Sequence, residues 1–183
     1  MIVMKTAKIN NNINLEITRG DIANQPDIEV IVNAANAQLQ TGGGVAGAIH
    51  SRAGPGLADE CQPLAPINTG EAIITGAHNL PNKQVIHCLG PVYGINHPEA
   101  KLLASCYRSA LNLAESNAAS SIAFPAISTG IFGYPFLEAI SIGLDVILNF
   151  NGYKNLKLVR IVLRSQDDFN SALDVLNKSL RDC

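Results

Sequence analysis

Short runs of apolar, often β-branched residues alternate along this chain with longer segments of helical periodicity. This alternation constrains the fold more than any other feature of the sequence, because strands that alternate with helices predict an α/β fold with a largely parallel sheet covered on both faces. About seven strands are expected. They are a run that ends near residue 9 and runs at 13–17, 29–33, 72–75, 84–88, 121–124 and 158–163.

Three helices are predicted from apolar residues spaced three and four apart. They span residues 99–118, 135–150 and 168–180. Pro98 and Pro135 stand where a proline can begin a helix, and Asp167 or Asp168 is expected to cap the last helix. Asn10-Asn11-Asn12 lies between the first two runs and predicts a hairpin turn. The expected buried stripe of the first helix consists of Leu102, Leu103, Cys106, Ala110, Leu113 and Ala114.

Length and charge narrow the class of protein further. At 183 residues the chain is long enough for one domain with a full core, and we expect a single domain over residues 1–183. Charged residues make up only 15% of the sequence, against roughly 25% in an average domain, and the net charge is −2. Because no basic field is present, duplex nucleic acid is not expected as a partner.

Membrane and disulfide signals are weak. No apolar run reaches the roughly 18 residues of a membrane span, and the first residues lack the order of a signal peptide. We therefore expect a cytoplasmic protein with no membrane contact, and a monomer, although the sequence leaves the oligomeric state open. Four scattered cysteines without a C-x-x-C pair are interpreted as reduced, small hydrophobic residues. They are Cys61, Cys88, Cys106 and Cys183.

The loop that follows the predicted strand at 29–33 is rich in glycine. Gly42-Gly43-Gly44 leads directly into an alanine-rich helical segment. Glycines let a backbone approach a ligand closely, and free amides at a helix N-terminus bind anions. The order of strand, glycine loop and helix is typical of phosphate binding, although neither common nucleotide-binding motif is present. Three glycines alone fit a flexible connection equally well.

A second loop of this kind follows the predicted strand at 121–124. Residues 125–135 contain a serine, a threonine and two glycines and lead into a helix, so further free amides point at the same sheet edge. Two such loops suit a diphosphate. Phe132 and Tyr134 flank the second glycine, where flat packing against a sugar or base and a role in the core are both open.

Together, these segments resemble the macrodomain family, an α/β/α module that binds ADP-ribose. The resemblance is carried by Val32–Asn36, Gly42–Ile49, Val85–Pro91 and Pro125–Gly133, and it runs in order from about Ile17 to Phe169. It implies a three-layer α/β/α macrodomain with a mixed, largely parallel central sheet of about six to seven strands. It also implies ADP-ribose as ligand, ADP-ribosylated proteins as partners, and no cofactor.

The resemblance implies where the adenine would lie. Gly20-Asp21-Ile22 corresponds to the segment that holds adenine, with Asp21 accepting from the exocyclic amine. An aspartate here equally suits a turn or a helix cap. Arg164 falls where a side chain covers the adenine ring, since a guanidinium stacks on a purine. A solvated arginine at the end of a strand fits that position as well.

The resemblance also implies which residues contact the rest of the ligand. Asn36 corresponds to the asparagine that hydrogen-bonds the distal ribose, the glycine loop would lie along that ribose and its phosphate, and the second loop would wrap the diphosphate. The implied catalytic residues are Asn36 and Gly44. The implied binding residues are Asp21, Ile22, Asn36, Gly43, Gly44, Val45, Ala46, Ser128, Thr129, Gly130, Ile131, Phe132 and Arg164.

For activity, the resemblance implies hydrolysis of the bond between the distal ribose and an acyl group. Substrates of that class are O-acetyl-ADP-ribose and ADP-ribose attached to an Asp or Glu of a protein. In many such hydrolases the position after Val45 is an aspartate, whereas this sequence has Ala46. A positioned water would then be the nucleophile, helped by orientation and by glycine amides. A catalytically silent ADP-ribose reader is the alternative, and a nucleotide- or NAD-dependent enzyme of unrelated mechanism is a third.

The other polar residues do not predict a second chemistry. His50 and His87 lie in a predicted helix and strand, where core histidines are commoner than catalytic ones. Ser128 lacks a Gly-x-Ser-x-Gly elbow, so its hydroxyl is interpreted as a phosphate donor or a helix cap. No metal is predicted, because His, Cys and carboxylates show no ligand spacing. Val30–Ser51 and Ser116–Leu137 contain no Asp, Glu, Lys or Arg, so recognition there must come from backbone amides.

Overall fold

A seven-stranded sheet forms the centre of the computed structural model, which describes residues 4–9 and 13–181. The strands are β1 (Met4–Ile9), β2 (Ile13–Arg19), β3 (Val30–Ala34), β4 (Ala72–Gly76), β5 (Gln84–Cys88), β6 (Ser121–Phe124) and β7 (Leu158–Leu163). Their order across the sheet is β1-β2-β7-β6-β3-β5-β4. All seven predicted strands are therefore confirmed.

The sheet is mixed and largely parallel, as predicted. Strand β7 pairs in parallel with β2 and β6, and β3 pairs in parallel with β6 and β5. The two edge pairs, β1 with β2 and β4 with β5, are antiparallel. The predicted hairpin turn at 10–12 lies outside the described residues, although the strands on either side of it pair with each other.

Five helices cover the sheet. They are α1 (Gly44–Ala53), α2 (Pro55–Cys61), α3 (Glu99–Ser116), α4 (Phe136–Asn149) and α5 (Gln166–Ser179). Helix α1 is the alanine-rich segment after the glycine loop, and α3 to α5 match the three predicted helices within two residues. Helix α2 and the short 3-10 turn after it, Gln62–Leu64, were not predicted. Gly54, Pro55 and Gly56 suggest a break, yet Pro55 occupies the first helical turn, where its missing N–H has no cost.

Two details of the helices differ from the sequence predictions. Ser165, rather than Asp167 or Asp168, caps α5, and its hydroxyl accepts from the amide of Asp168 at 3.0 Å. Both aspartates lie in the first turn of α5, where their charge favours the helix dipole. In α3, Leu102 and Leu113 are only half-buried. Its buried face consists of Leu103, Cys106, Tyr107, Ala110, Leu111 and Ala114.

The core consists of two hydrophobic clusters on opposite faces of the sheet. Side chains of β3 alternate between them, since Val30 and Val32 belong to one cluster and Ile31 to the other. The first cluster is completed by α3, α4 and α5, and the second by α1 and α2. This arrangement confirms the three-layer α/β/α prediction.

The parallel strands deliver their loops to one edge of the sheet. Because β2, β7, β6, β3 and β5 are parallel neighbours, their carboxyl ends share that edge. The loop after β2 carries Asp21, Arg164 follows β7, and the two glycine-containing loops follow β6 and β3. The two predicted phosphate-binding loops are therefore adjacent, because β6 and β3 pair directly.

Two further findings concern the described part of the chain. No helix there is long and apolar enough to cross a membrane. Cys61, Cys88 and Cys106 are free and buried, whereas Cys183 lies outside the described residues.

Candidate functional site

The glycine loop after β3 presents backbone amides to open space. Gly43 precedes α1 in an extended conformation, and Gly44 has a φ of +58°. The first bond of the helix joins the Gly47 amide to the Gly43 carbonyl, at 3.3 Å, so the amides of the intervening residues have no acceptor within the helix. A side chain at Gly43 or Gly44 would meet no atom within 4 Å. An anion can therefore approach these amides directly.

Gly47 lets this loop fold back against the first turn of α1. A β-carbon at this position would lie 2.5 Å from the carbonyl oxygen of Gly42, closer than any real contact. The glycine is thus required by the close approach of two backbone segments. Ala46 lies in the same turn and is 5% exposed.

The Asn36 side chain forms hydrogen bonds that hold the loop leading to Gly42. Its Nδ2 donates to the Gln40 carbonyl at 2.8 Å, and its Oδ1 accepts from the Gln40 amide at 3.0 Å. One N–H and one lone pair of the side-chain amide remain for a ligand. The sequence predicted Asn36 as a ribose contact but not this role in the loop.

Two carbonyls of the second loop, after β6, accept hydrogen bonds from amides of the same loop. Tyr134 donates its amide to the Ser128 carbonyl at 2.9 Å, and Gly133 donates to the Gly130 carbonyl at 3.0 Å. Within the described part of the chain, the amides of Gly130 and Ile131 have no acceptor. The Ile131 side chain is 99% exposed. The loop therefore offers donors, as an anion requires.

Ser128 does not cap a helix. Helix α4 begins after Pro135, and the Ser128 Oγ is buried without a hydrogen-bond partner among the described residues. Its φ is +67°, an unusual conformation for serine. Thr129, next to it, donates its hydroxyl to the Ala126 carbonyl at 2.8 Å. The helix-cap interpretation is wrong, and a phosphate-donor role for Ser128 stays a prediction.

The two aromatic residues of this loop have different surroundings. Tyr134 is 4% exposed and belongs to the main core, with its ring 4.9 Å from that of Tyr93. Phe132 is half-buried at the edge of the second cluster, and its carbonyl accepts from the Tyr93 amide at 2.9 Å. Tyr134 is thus a core residue, whereas Phe132 is still available to a ligand.

Asp21 has both a turn contact and an ionic partner. Its Oδ1 accepts from the amide of Ala23 at 3.0 Å, and its Oδ2 lies 3.2 Å from a guanidinium nitrogen of Arg52. Arg52 is in the last turn of α1. This contact could not be predicted from the sequence, because only the packing of α1 against the sheet brings these distant positions together. Ile22, beside Asp21, is 5% exposed.

Arg160 of β7 and Arg164, which follows β7, differ in burial and in their contacts. Arg164 is exposed, and it has no ion pair or hydrogen bond within the described residues. Arg160 is buried, with its side chain 9% exposed, and it donates to Glu16 at 2.8 Å and to both oxygens of Asp27 at 2.9 and 2.7 Å. These hydrogen bonds lower the pKa of Asp27. Sequence reasoning did not single out Arg160.

The Arg160 network reaches the predicted adenine segment. Arg160 donates to the side-chain oxygen of Gln25 at 2.9 Å, and the Gln25 amide nitrogen donates to the Asp21 carbonyl at 2.8 Å. The Gln25 side chain therefore bridges Arg160 and the backbone of Asp21, and it fixes the position of that backbone. This support was also missed, since the participating residues lie far apart in the sequence.

His87 is fully buried on β5, between β3 and β4, where the sequence predicted a core histidine. It accepts from the Asn33 side chain at its Nδ1, at 3.1 Å, which leaves the Nε2 proton to be donated to Thr75 Oγ1 at 2.9 Å. Burial lowers the pKa of His87 to about 4, and burial also lowers the pKa of His50. Both rings are thus neutral at pH 7. Among the described residues, no group of three or more His, Cys, Asp or Glu is arranged to hold a metal ion.

Taken in order across the sheet, the candidate residues form a row. Asp21 follows β2, Arg164 follows β7, the second loop follows β6, and the glycine loop follows β3. Neighbouring strands are about 4.8 Å apart, so the row extends for roughly 14 Å. Such a row suits an elongated ligand with its anionic part over β6 and β3.

The fold and this site define a class of α/β/α proteins with two amide-lined loops on neighbouring parallel strands. A family model described as Macro domain matches residues 32–143. The chain belongs to the macro domain family, which confirms the resemblance seen in its motifs.

Relatives and solved structures agree with this assignment. The chain is 50% identical over 141 residues to a Salmonella gallinarum protein named O-acetyl-ADP-ribose deacetylase, covering 74% of this chain and 78% of that protein. It is 40% identical to the Oceanobacillus iheyensis macrodomain with ADP, with a TM-score of 0.95 and full coverage of both chains. It is 36% identical to the Trypanosoma brucei macrodomain in complex with ADP-ribose, with a TM-score of 0.81 and coverage of 88% of this chain and 66% of that one.

Proposed function

We propose that this chain binds ADP-ribose and hydrolyses acyl esters of its distal ribose. The substrates are O-acetyl-ADP-ribose and ADP-ribosyl groups on Asp or Glu side chains of proteins. The observation that carries this proposal is the pair of open, amide-lined loops on adjacent strands, in a chain 50% identical to a protein named O-acetyl-ADP-ribose deacetylase. Asp21, Ile22 and Arg164 hold the adenine, and Ser128 to Phe132 hold the diphosphate.

The reaction needs a nucleophile and a stabilised oxyanion. A water attacks the ester carbonyl carbon, the bond from that carbon to the ribose oxygen breaks, and the ribose oxygen takes up a proton as the carboxylic acid leaves. Asn36 orients the ribose with the N–H and lone pair that Gln40 does not use. The amides of Gly43 and Gly44 face the developing oxyanion, where fixed donors lower the barrier most. No carboxylate lies between Val30 and Ser51, so a substrate phosphate holds the water.

A catalytically silent reader is the second candidate, and one observation favours it. Ala46 places a methyl group in the first turn of α1, so this turn offers no general base. A reader would bind ADP-ribose through the same amides but release nothing from a modified protein.

Incubation of the chain with two substrates separates these functions. O-Acetyl-ADP-ribose and a peptide ADP-ribosylated on Glu are followed by mass spectrometry, with ADP-ribose affinity measured by calorimetry. A hydrolase yields ADP-ribose plus acetate or free peptide. A reader binds ADP-ribose and leaves both esters intact, which would refute the hydrolase. Preference for intact NAD over ADP-ribose would refute both.

Asn36→Ala is the diagnostic variant of the hydrolase. We expect turnover to be abolished, because the ribose loses its orientation, while ADP-ribose affinity falls only several-fold, since binding is spread over many amides. Because Asn36 also braces Gln40, thermal melting must show that the variant folds. Asn177→Ala, an exposed asparagine of α5, is the control. Unchanged turnover in Asn36→Ala would discard Asn36 as a site residue.

A further inference from the structure

A groove of about 550 Å³ lies beside the glycine loop and outside the row of ligand-binding residues described above. One wall is the stretch 38–41, which leads directly into Gly42. The other wall is formed by α2 and the residues after it, including Asp59 and Gln62. Neither wall contributes to the proposed reaction.

The two walls are fixed to each other. Leu39 is 1% exposed and packs in the same cluster as Leu57 and Cys61 of α2. The amide of Ile67 donates to the carbonyl of Ala37 at 3.0 Å, which ties the segment after α2 to the start of the loop. The groove is therefore preformed, and a ligand does not have to order it.

The groove is continuous with the proposed ribose site. Asn36 holds both backbone groups of Gln40, so the residue that orients the ribose and the wall of the groove belong to one hydrogen-bonded turn. Thr41 is followed directly by the three glycines. A chain attached to the distal ribose would thus have the groove next to it.

The lining of the groove carries neutral hydrogen-bonding groups. The side-chain amides of Gln38, Gln40 and Gln62 have no hydrogen-bond partner within the described residues, and all three are exposed. An amide both donates and accepts, as a polypeptide backbone does. Asp59 is the one charged residue in the lining, and the lining contains no cation. A nucleic acid needs cations for its phosphates, so this lining suits a polypeptide instead.

We propose that this groove binds the polypeptide that flanks an ADP-ribosylated side chain, with a preference for a basic residue near the Asp59 carboxylate. The inference rests on the function proposed above and narrows its substrates toward proteins rather than small ADP-ribose esters.

Binding of a stable conjugate tests the groove separately from hydrolysis. The ligands are ADP-ribose and a peptide joined to ADP-ribose through a non-hydrolysable linkage, with Lys or Asp beside the attachment point. Two or three hydrogen bonds to the peptide should make the Lys-flanked conjugate bind about tenfold tighter than ADP-ribose. The double variant Asp59→Ala/Gln62→Ala should lose this advantage. Asp174→Ala/Asn177→Ala, which removes exposed side chains of the same types and spacing from α5, should keep it.

The outcomes distinguish the two proposals. Equal affinity of the wild-type chain for the conjugate and for ADP-ribose would refute peptide binding in the groove. The same conclusion would follow if Asp59→Ala/Gln62→Ala still bound the conjugate more tightly than ADP-ribose. If ADP-ribosylated RNA showed the same increase in affinity over ADP-ribose, the proposal that the groove binds a polypeptide would be refuted. If the conjugate binds more tightly than ADP-ribose but neither ester is cleaved, the hydrolase proposal is refuted and the proposal of a peptide-binding groove is supported.

Discussion

Single residues decide whether this chain is an enzyme or only a binding protein. The first turn of α1 combines open amides at Gly43 and Gly44 with a methyl group at Ala46. Amides bind and polarise a substrate, whereas a carboxylate in this turn would also take a proton from water. The balance between the hydrolase and the reader therefore depends on whether orientation alone makes the reaction fast enough.

Ala46→Asp should raise the rate of O-acetyl-ADP-ribose hydrolysis. The new carboxylate would be stabilised in ionised form by the N-terminus of α1, and a positioned base should give at least a tenfold or so increase. Ala46→Asn, with the same shape but no base, is the matched control, and the initial rate of ADP-ribose release is the measurement. No gain with Asp would favour the reader, and an equal gain with Asn would show that the base is irrelevant.

Two neighbouring glycines should respond differently to alanine. Gly43 has a φ of −84° and open space around it, so Gly43→Ala should change the free energy of unfolding by less than about 0.5 kcal/mol. The methyl group would occupy the space that a phosphate or ribose needs, and ADP-ribose affinity should fall about tenfold or more. Calorimetry and urea unfolding measure the two effects.

Gly47→Ala is the counterpart, because its methyl group would collide with the Gly42 carbonyl oxygen. It should lower the free energy of unfolding by about 2 kcal/mol, in the range of overpacked sites. Gly43→Ala with unchanged ADP-ribose affinity would contradict the placement of the ligand over this loop.

At this scale the sequence predicted residues that act through their own backbone or position, and missed those that act through partners. The glycine loop could be predicted because loop and helix are contiguous in sequence, and Asn36 was predicted from the family resemblance. Arg52, which pairs with Asp21, could not, since that contact depends on how α1 packs. Tyr134 was ambiguous because a glycine neighbour says nothing about which face the ring occupies.

Among the elements, β7 supports the end of the candidate site at which Asp21 lies. Its Arg160 joins β2 through Glu16 and the loop after β2 through Gln25 and Asp27. Gln25 also donates to the Asp21 carbonyl, so the Arg160 network fixes the backbone of the predicted adenine segment. The segment of Asp21 is therefore held by a network of side chains, and the glycine loop is held by the two hydrogen bonds between the Asn36 side chain and Gln40.

Arg160→Met should destabilise the fold and weaken ADP-ribose binding together. Removing one partner of a buried ion pair typically costs about 3 kcal/mol or more, and Glu16, 12% exposed at its side chain, would be left without its partner. Lys83→Met is the control, because Lys83 is 71% exposed in its pair with Glu29 and should cost less than about 1 kcal/mol. Urea unfolding and ADP-ribose titration are the measurements. Equal effects of the two substitutions would contradict a special role for Arg160.

The elements themselves were largely predictable. All seven strands and α3 to α5 carry clear periodicity, which depends only on local sequence. Helix α2 was missed because it has only seven residues, too few to show a period, and because Pro55 and Gly56 lie within it. The cap of α5 was assigned to the wrong residue, since Ser165 and the two following aspartates all favour helix N-termini and only the backbone geometry selects among them.

In the molecule as a whole, the segments without charged residues lie at the candidate site. The segments 30–51 and 116–137 contain both ligand loops and no Asp, Glu, Lys or Arg. The polar groups buried near them are neutral, as His87 and Asn33 show. Stability near this part of the sheet therefore depends on keeping those groups uncharged.

Stability should fall as the pH drops from 6.5 to about 4. The pKa of His87 is lowered in the folded chain from 6.5 to about 4, so between these values the unfolded chain binds more protons and is favoured. The full shift corresponds to about 3 kcal/mol, and the lowered pKa of His50 acts in the same direction. Urea unfolding at several pH values measures the slope.

His87→Gln should flatten that slope, whereas Asn177→Gln, which changes an exposed residue of α5 that does not titrate, should leave it unchanged. A slope that is the same in His87→Gln and in the unsubstituted chain would contradict the assignment. Carboxylates whose pKa is lowered, such as Glu29 at about 2, begin to lose their contribution below about pH 5, so the slopes of the two chains are compared between pH 6.5 and about 5.

The position of β7 has a consequence for protein synthesis. It is the last strand in the described part of the chain, yet it lies between β2 and β6, and those strands meet only through it in the described sheet. While the ribosome is still making the chain, the loop of Asp21 and the loop of Ser128 cannot be side by side until residue 163 has emerged. A nascent chain without β7 therefore cannot form the predicted ligand site, and ADP-ribose can stabilise only a chain that has been made through β7.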